Sequence, residues 1–223
     1  MPAIFSMTRG LRLVGGTVLL AAVAVMAHAQ NTQVHDPALL RQQLGGARVA
    51  IVEFADLECP QCAHANPILK QAVAQYHIPW IRRDFPLQQH IWSRQAALNA
   101  RWFETAKSKA LGDEYRDEVF ANQNSIYSLV VLNDFTQKFA HSHGVTLPFA
   151  IDPMGKLDAA VKADSDMGQR LGIDHTPTVW VLASKGAPYT EVSTDMHDLY
   201  QIIDQALANT KDSGAAAKKP VKK

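Results

Sequence analysis

The stretch Val49-Ala50-Ile51-Val52-Glu53-Phe54-Ala55-Asp56-Leu57-Glu58-Cys59-Pro60-Gln61-Cys62 decides how the rest of the chain is read. Its first seven residues are mostly apolar and rich in β-branched side chains, the pattern of a short strand buried on both faces. Pro60 then suits the first position of a helix, where a missing N–H costs nothing because that N–H would lack a helical partner. From Pro60 to Tyr76 the side chains of Ile68, Leu69, Ala72 and Val73 share one helical face. Pro67 removes a hydrogen bond from this helix and predicts a kink after its second turn. Cys59 therefore falls at a strand-to-helix junction, where unpaired backbone N–H groups and the helix dipole favour a thiolate over a thiol.

Cys59 and Cys62 are the only cysteines in 223 residues. A purely structural bridge between them would close so short a loop that it contributes only about 2 kcal/mol. A closed zinc site needs four ligands, and no second cysteine pair exists to supply them. The remaining reading is a dithiol that exchanges. Cys59, with its lowered pKa, is both the attacking and the attacked sulfur, and Cys62, one turn into the helix, is the resolving one. Cys59, Cys62 and His64 together also suit Cu(I), which keeps a copper-carrying metallochaperone as the non-enzymatic alternative. At about 3.6 residues per turn, however, His64 points roughly 200° away from Cys62.

Residues 1–29 carry Arg9 and Arg12 as their only charges, an apolar run from Leu13 to Ala27, and the small-residue pattern Ala27-His28-Ala29. This is the layout of a cleaved secretory signal, and its apolar run is shorter than the roughly 20 residues that span a bilayer. An exported chain lives where disulfides persist, which favours a pair that is oxidised or cycling. The whole chain has a formal charge of +1, so the chain from Gln30 onward carries −1. No basic excess is available to screen a phosphate backbone, and nucleic-acid binding is not expected. Residues 209–223 hold five Lys and one Asp among Ala, Gly, Ser and Pro, and read as a flexible basic tail on an acidic body. With 47% hydrophobic residues spread throughout, the chain reads as globular. No phosphate cradle, Ser-His-Asp set in recognisable context or paired-carboxylate glycosidase pattern is present.

The segment Glu53-Phe54-Ala55-Asp56-Leu57-Glu58-Cys59-Pro60-Gln61-Cys62 resembles the active-site segment of the DsbA-like branch of the thioredoxin superfamily. The same order of motifs continues through Arg82-Arg83-Asp84-Phe85-Pro86-Leu87, then His90, Ser93 and Ala96-Ala97. It runs on through Phe120-Ala121-Asn122-Gln123 to Gly172-Ile173-Asp174-His175-Thr176-Pro177-Thr178. The resemblance covers about Arg48 to Leu207. It implies an α/β thioredoxin fold with a helical insertion, at about residues 88–172, between the second and third core strands of a domain spanning 30–208.

A coarse reading of periodicity is consistent with that layout. Trp80–Phe85 reads as the second strand, and 93–112 and 113–121 as helices. Leu129, Leu132, Phe135 and Phe139 predict a helix ending near Gly144, and 153–171 another. Thr178–Leu182 and Tyr189–Ser193 read as strands. Met196–Ala208 is expected to close the fold as a helix with Leu199, Ile202, Ile203 and Leu207 inward.

The resemblance also implies roles. Pro177 matches a cis proline facing the sulfurs, which would expose the Thr176 backbone to pair with an extended substrate. Glu53 matches a buried acid beneath the dithiol that relays protons to Cys62. Two departures bear on strength. Gln61 stands where strongly oxidising members often carry His, so it offers the Cys59 thiolate a hydrogen bond but no positive charge. His175 stands where many relatives carry Gly, and could supply that missing cation. The expectation is an exported, periplasmic or secreted thiol:disulfide oxidoreductase, monomeric and without a cofactor or metal beyond the Cys59–Cys62 bridge. It would oxidise exported proteins with free thiols and be recycled by a membrane redox partner. A reductase or isomerase direction is the alternative, since the reduction potential sets the direction.

Overall fold

The structure is a computed structural model and describes residues 34–211; the signal segment and most of the basic tail lie outside the described residues. Strand β1 (Val49–Ala55) runs through the middle of a four-stranded sheet. It pairs in parallel with β2 (Trp80–Asp84) and antiparallel with β3 (Thr178–Ala183), and β3 pairs antiparallel with β4 (Tyr189–Glu191), giving the order β2-β1-β3-β4. Six of the seven β1 residues are buried, as its apolar run requires.

Alternation along β1 divides the core. Val49 and Ile51 face helix α2 (Pro60–Tyr76), which contributes Ala65, Leu69 and Ala72, and helix α7 (Leu199–Thr210), which contributes Leu199, Ile202, Ile203 and Ala206. Val52 and Phe54 face the other way and pack with Phe85, Leu171, Trp180 and Leu182. Between β2 and β3 the chain forms α3 (Ser93–Ala106), α4 (Lys109–Ala121), α5 (Leu129–Ser142) and α6 (Lys156–Leu171). Phe103, Tyr115, Leu132 and Phe139 fill a third core, and this core also takes in Leu57, Cys59, Cys62 and Trp92. The insertion therefore packs directly against the dithiol.

A buried ion network ties the insertion to the sheet. Asp84 at the end of β2 is paired with Arg101 of α3 at 2.5 Å and Arg116 of α4 at 3.1 Å. Asp164 of α6 is paired with Arg83 at 3.0 Å and with Arg101. Burial opposes the charge on Asp84, but the two guanidiniums hold its carboxyl below the ordinary range; burial pushes Asp164 upward.

Several boundaries differ from the sequence expectation, each for a local reason. Helix α3 ends at Ala106 rather than near residue 112, because Ser108 caps α4, its Oγ accepting the Leu111 N–H at 3.1 Å. Gly112 sits inside α4, where a Cβ would stand 2.7 Å from Glu104 Cβ and 2.9 Å from the Ala100 carbonyl oxygen. That glycine serves close helix packing rather than termination. Helix α6 begins after Gly155, which adopts φ +67, and not at Pro153. Met196 takes a left-handed conformation (φ +61) in the turn before α7, so this helix starts at Leu199 and continues to Thr210, two residues past the expected end of the domain. Of its inward residues Leu207 is only half-buried, and Ala206 is buried in the core. Pro67 lies within α2, which continues to Tyr76 as one element. The short helix α1 (Pro37–Gln42), capped by Asp36, carries buried Leu40 and had no place in the sequence reading. No helix among the described residues is long and apolar enough to cross a membrane.

Candidate functional site

The site is built where β1 ends and α2 begins. Cys59 is the N-cap of α2, in extended conformation (φ −82, ψ 122), with Pro60 in the first turn. The Cys59 N–H donates to the Asp56 carbonyl at 3.1 Å, which closes a tight turn over Leu57 and Glu58. One helical turn on, Cys62 is fully buried, while Cys59 keeps 6% of its surface exposed. Both are free thiols. The loop before β3 approaches from the other side: Cys59 Sγ donates to the Thr176 carbonyl oxygen at 3.3 Å. The Thr176–Pro177 peptide is cis, and both residues are buried.

The two sulfurs are pushed in opposite directions. The Cys62 thiol donates to Cys59 and, against the cost of burial, lowers the Cys59 pKa to about 5. The Thr176 side chain and the backbone N–H groups of Cys62 and Gln61 add to this effect, as a helix N-terminus should. Burial pushes the Cys62 thiol far up, and the Cys59 and Glu53 charges push it the same way. Glu53 is completely buried in the middle of β1. Burial raises its pKa to about 7, against the opposing effects of Arg82 and of Trp80, whose Nε1–H donates to Glu53 Oε2 at 3.0 Å. Its second oxygen, Oε1, has no hydrogen-bond partner among the described residues.

Cys59, Cys62, Thr176 and Pro177 are thus gathered at one place, with Glu53 acting electrostatically on Cys62. Pro60 and Gln61 are exposed in the first turn of α2, and Gln61 acts on Cys59 through its backbone N–H. His175 stands in the loop just ahead of the cis proline. Its Nδ1 stands 2.8 Å from the Asp174 carboxylate, in an exposed pair. His64 is exposed on α2, and among the described residues no group of three or more His, Cys, Asp or Glu side chains is arranged to hold a metal ion.

Four polar residues that frame the site had no role in the sequence reading. Asp56 is buried, with its carboxylate accepting the N–H groups of Glu58 and Leu87, each at 2.6 Å. His90 Nδ1 stands 2.8 Å from the same carboxylate. Glu58 Oε2 accepts the N–H groups of Trp92 at 2.7 Å and Ser93 at 3.0 Å, and so caps α3 from the active-site turn. Gln123 Nε2 donates to the carbonyls of Leu57 at 2.9 Å and Cys59 at 3.1 Å. The local signal was a pair of carboxylates in the turn just ahead of Cys59; apart from the Glu58 N–H, their partners lie more than 30 residues away.

Comparison with known proteins agrees with this geometry. A family described as Thioredoxin matches residues 45–205. The thiol-disulfide exchange protein alpha-DsbA2 from Wolbachia pipientis superposes with a TM-score of 0.60 at 15% identity, over 76% of this chain and 96% of that one. A periplasmic thioredoxin-like protein from Salmonella enterica serovar Typhimurium gives a TM-score of 0.57 at 20% identity, over 72% and 85% of the two chains. A curated Na(+)/H(+) antiporter NhaA 3 from Salinispora tropica is 32% identical over 82 residues, which are 36% of this chain. This chain spans only 12% of that relative's length. With a family match across most of its length, and a dithiol, a cis proline and a helical insertion arranged around one sheet, the chain belongs to the thioredoxin family and has the fold of its DsbA-like members.

Proposed function

We propose that this protein is an exported thiol:disulfide oxidoreductase that works as a disulfide donor. The observation that carries the reading is the opposed pair of sulfurs: Cys59 at the helix N-cap with a pKa of about 5, and Cys62 buried with its pKa raised. A stabilised thiolate favours the reduced enzyme, and so makes the oxidised bridge a willing oxidant.

In the forward direction a substrate thiolate attacks Cys59 Sγ, and the Cys59–Cys62 bond breaks with its electron pair leaving on Cys62. The Cys62 thiolate takes a proton, for which the Glu53 carboxyl, half protonated near neutrality, is the supply. A second substrate thiolate then attacks the substrate sulfur bound to Cys59. Cys59 leaves as a thiolate, the substrate gains a disulfide, and the enzyme is left reduced. The Thr176 carbonyl, 3.3 Å from Cys59 Sγ, would pair with the backbone of an extended substrate beside Pro177. Such backbone recognition is indifferent to side-chain sequence and suits exported proteins with free thiols as a class. A membrane redox partner restores the bridge, and the protein acts as a monomer with no prosthetic group beyond the bridge. The leader pattern at Ala27-His28-Ala29 and the likeness to a periplasmic protein support an exported location.

Equilibration of the reduced protein with glutathione buffers, followed by thiol trapping, tests the direction. A Cys59 pKa of about 5 falls between about 7 for thioredoxin and about 3.5 for DsbA. The expected potential accordingly lies between about −270 and −120 mV, toward the oxidising end. A value at or below that of thioredoxin would turn the reading to a reductase, and no equilibration at all would turn it to copper binding or a structural bridge.

A further inference from the structure

Asp56 is bound to the dithiol by its backbone and to the rest of the protein by its side chain. Its N–H donates to Cys62 Sγ at 3.5 Å, a normal distance for a large sulfur acceptor, and its carbonyl accepts the Cys59 N–H. Its carboxylate, almost wholly buried, holds the N–H groups of Glu58 and Leu87 and stands beside His90. The peptide plane aimed at Cys62 is therefore fixed from the loop that follows β2, not by β1 alone. Among the groups acting on Cys62, this N–H is the one that favours its thiolate, whereas burial, Cys59 and Glu53 all oppose it.

Any exchange at this site must place negative charge on Cys62. When substrate opens the bridge, the electron pair of the breaking S–S bond leaves on Cys62 Sγ; when the bridge closes, the Cys62 thiolate attacks Cys59 and the former partner leaves as a thiolate. The sulfur has lost bulk water, so an oriented N–H counts for more there than it would at the surface. Resting on the oxidoreductase reading above, we propose that Asp56 is a positioning residue for disulfide opening and closing. Its carboxylate, held by the Glu58 and Leu87 N–H groups with His90 beside it, aims its own N–H at the sulfur on which charge develops.

The test uses the full-length protein and follows both half-reactions with a cysteine peptide by stopped flow, with the reduction potential and the 240 nm thiolate titration of Cys59 measured alongside. In Asp56→Ala, opening and closing are each expected to slow by about tenfold or more, the scale of a hydrogen bond to a charged group, with potential and Cys59 titration unchanged. Asp56→Asn keeps one carbonyl acceptor and should recover much of the rate. His90→Gln leaves the two N–H contacts in place and should slow exchange by less. A transition-state effect slows both directions equally, whereas a general loosening of the turn would shift the Cys59 titration and the potential together. Unchanged rates in Asp56→Ala, or slowed rates that come with such a shift in Asp56→Asn as well, would overturn the proposal. Failure of the oxidoreductase reading has a different sign, since the unsubstituted protein itself would then not exchange.

Discussion

The side-chain amide of Gln123 reaches the carbonyl oxygen of Cys59 at 3.1 Å, so that a residue of the helical insertion holds the backbone of the active-site cysteine. The same amide holds Leu57 at 2.9 Å, and the turn between the two residues is thereby fastened from outside the sheet. Insertion and dithiol are one packed unit, sharing the core that joins Cys59 and Cys62 to Phe103 and Tyr115.

Replacing Gln123 by Ala removes both bonds and leaves the Cys59 carbonyl, among the described residues, only the Ala63 N–H, at 3.1 Å. The expected loss is about 1–2 kcal/mol of stability, the scale of one or two neutral hydrogen bonds. Urea unfolding of Gln123→Ala measures it, and an unchanged midpoint would show that the turn stands without this support.

The two cysteines should fail in different ways. Cys59→Ala removes the sulfur that substrate attacks and should abolish exchange with reduced peptides. Cys62→Ala leaves the Cys59 nucleophile without its resolving partner, so stable mixed disulfides with substrate proteins should accumulate and be visible on non-reducing gels.

The Cys59 thiol is depressed from an ordinary value of 9.0 to about 5. A depressed group stabilises the folded reduced form fully above the ordinary value, and this contribution is lost as pH falls through about 5. At pH 7 the reduced protein should therefore unfold at higher urea than the oxidised protein, and the gap should narrow on going to pH 4.5. The 240 nm thiolate absorbance should titrate with a midpoint near 5; a midpoint near 8 would contradict the N-cap account.

Glu53 behaves in the reverse sense, raised from 4.5 to about 7 by burial. Between these values the folded protein holds a proton that the unfolded chain has lost, so its contribution is fully present below 4.5 and is lost as pH rises through about 7. The integrated cost is on the order of 3 kcal/mol. Glu53→Gln keeps an acceptor for Trp80 and should be more stable than the unsubstituted protein at pH 8, equal to it near pH 4, and slower in the proton-coupled exchange step. A parallel pH profile for the two proteins would show that Glu53 is not the titrating group.

Packing makes a prediction independent of the chemistry. A Cβ on Gly168 of α6 would stand 2.5 Å from Phe85 Cε2 and 3.2 Å from Phe54 Cδ1. Gly168→Ala should cost about 1–3 kcal/mol through overpacking and leave the Cys59 titration where it was. Thermal unfolding beside the 240 nm titration separates the two effects.

Local chemistry alone determined a good deal here. The apolar run at Val49–Ala55, the proline after Cys59 and the spacing of the two cysteines specify a strand, a helix start and a thiol at its N-cap, because each rests on interactions within a few residues. Periodicity located all four helices between β2 and β3, but it misplaced the α3–α4 break. A serine cap and a packing glycine leave the same mark in the sequence as a helix end. Tertiary structure decided the rest. It gathered Thr176 and Pro177 to Cys59 across 117 residues, turned His175 toward Asp174, and gave Asp56, Glu58, His90 and Gln123 their places around the turn. The contacts of Cys59 with Thr176, of Glu58 with Trp92 and of Gln123 with Cys59 each join a main-chain group to a distant side chain, and a backbone N–H or carbonyl has no identity in a sequence. The burial that separates the two sulfurs' acidities, and lifts Glu53 toward neutrality, likewise belongs to no residue until the insertion closes over it.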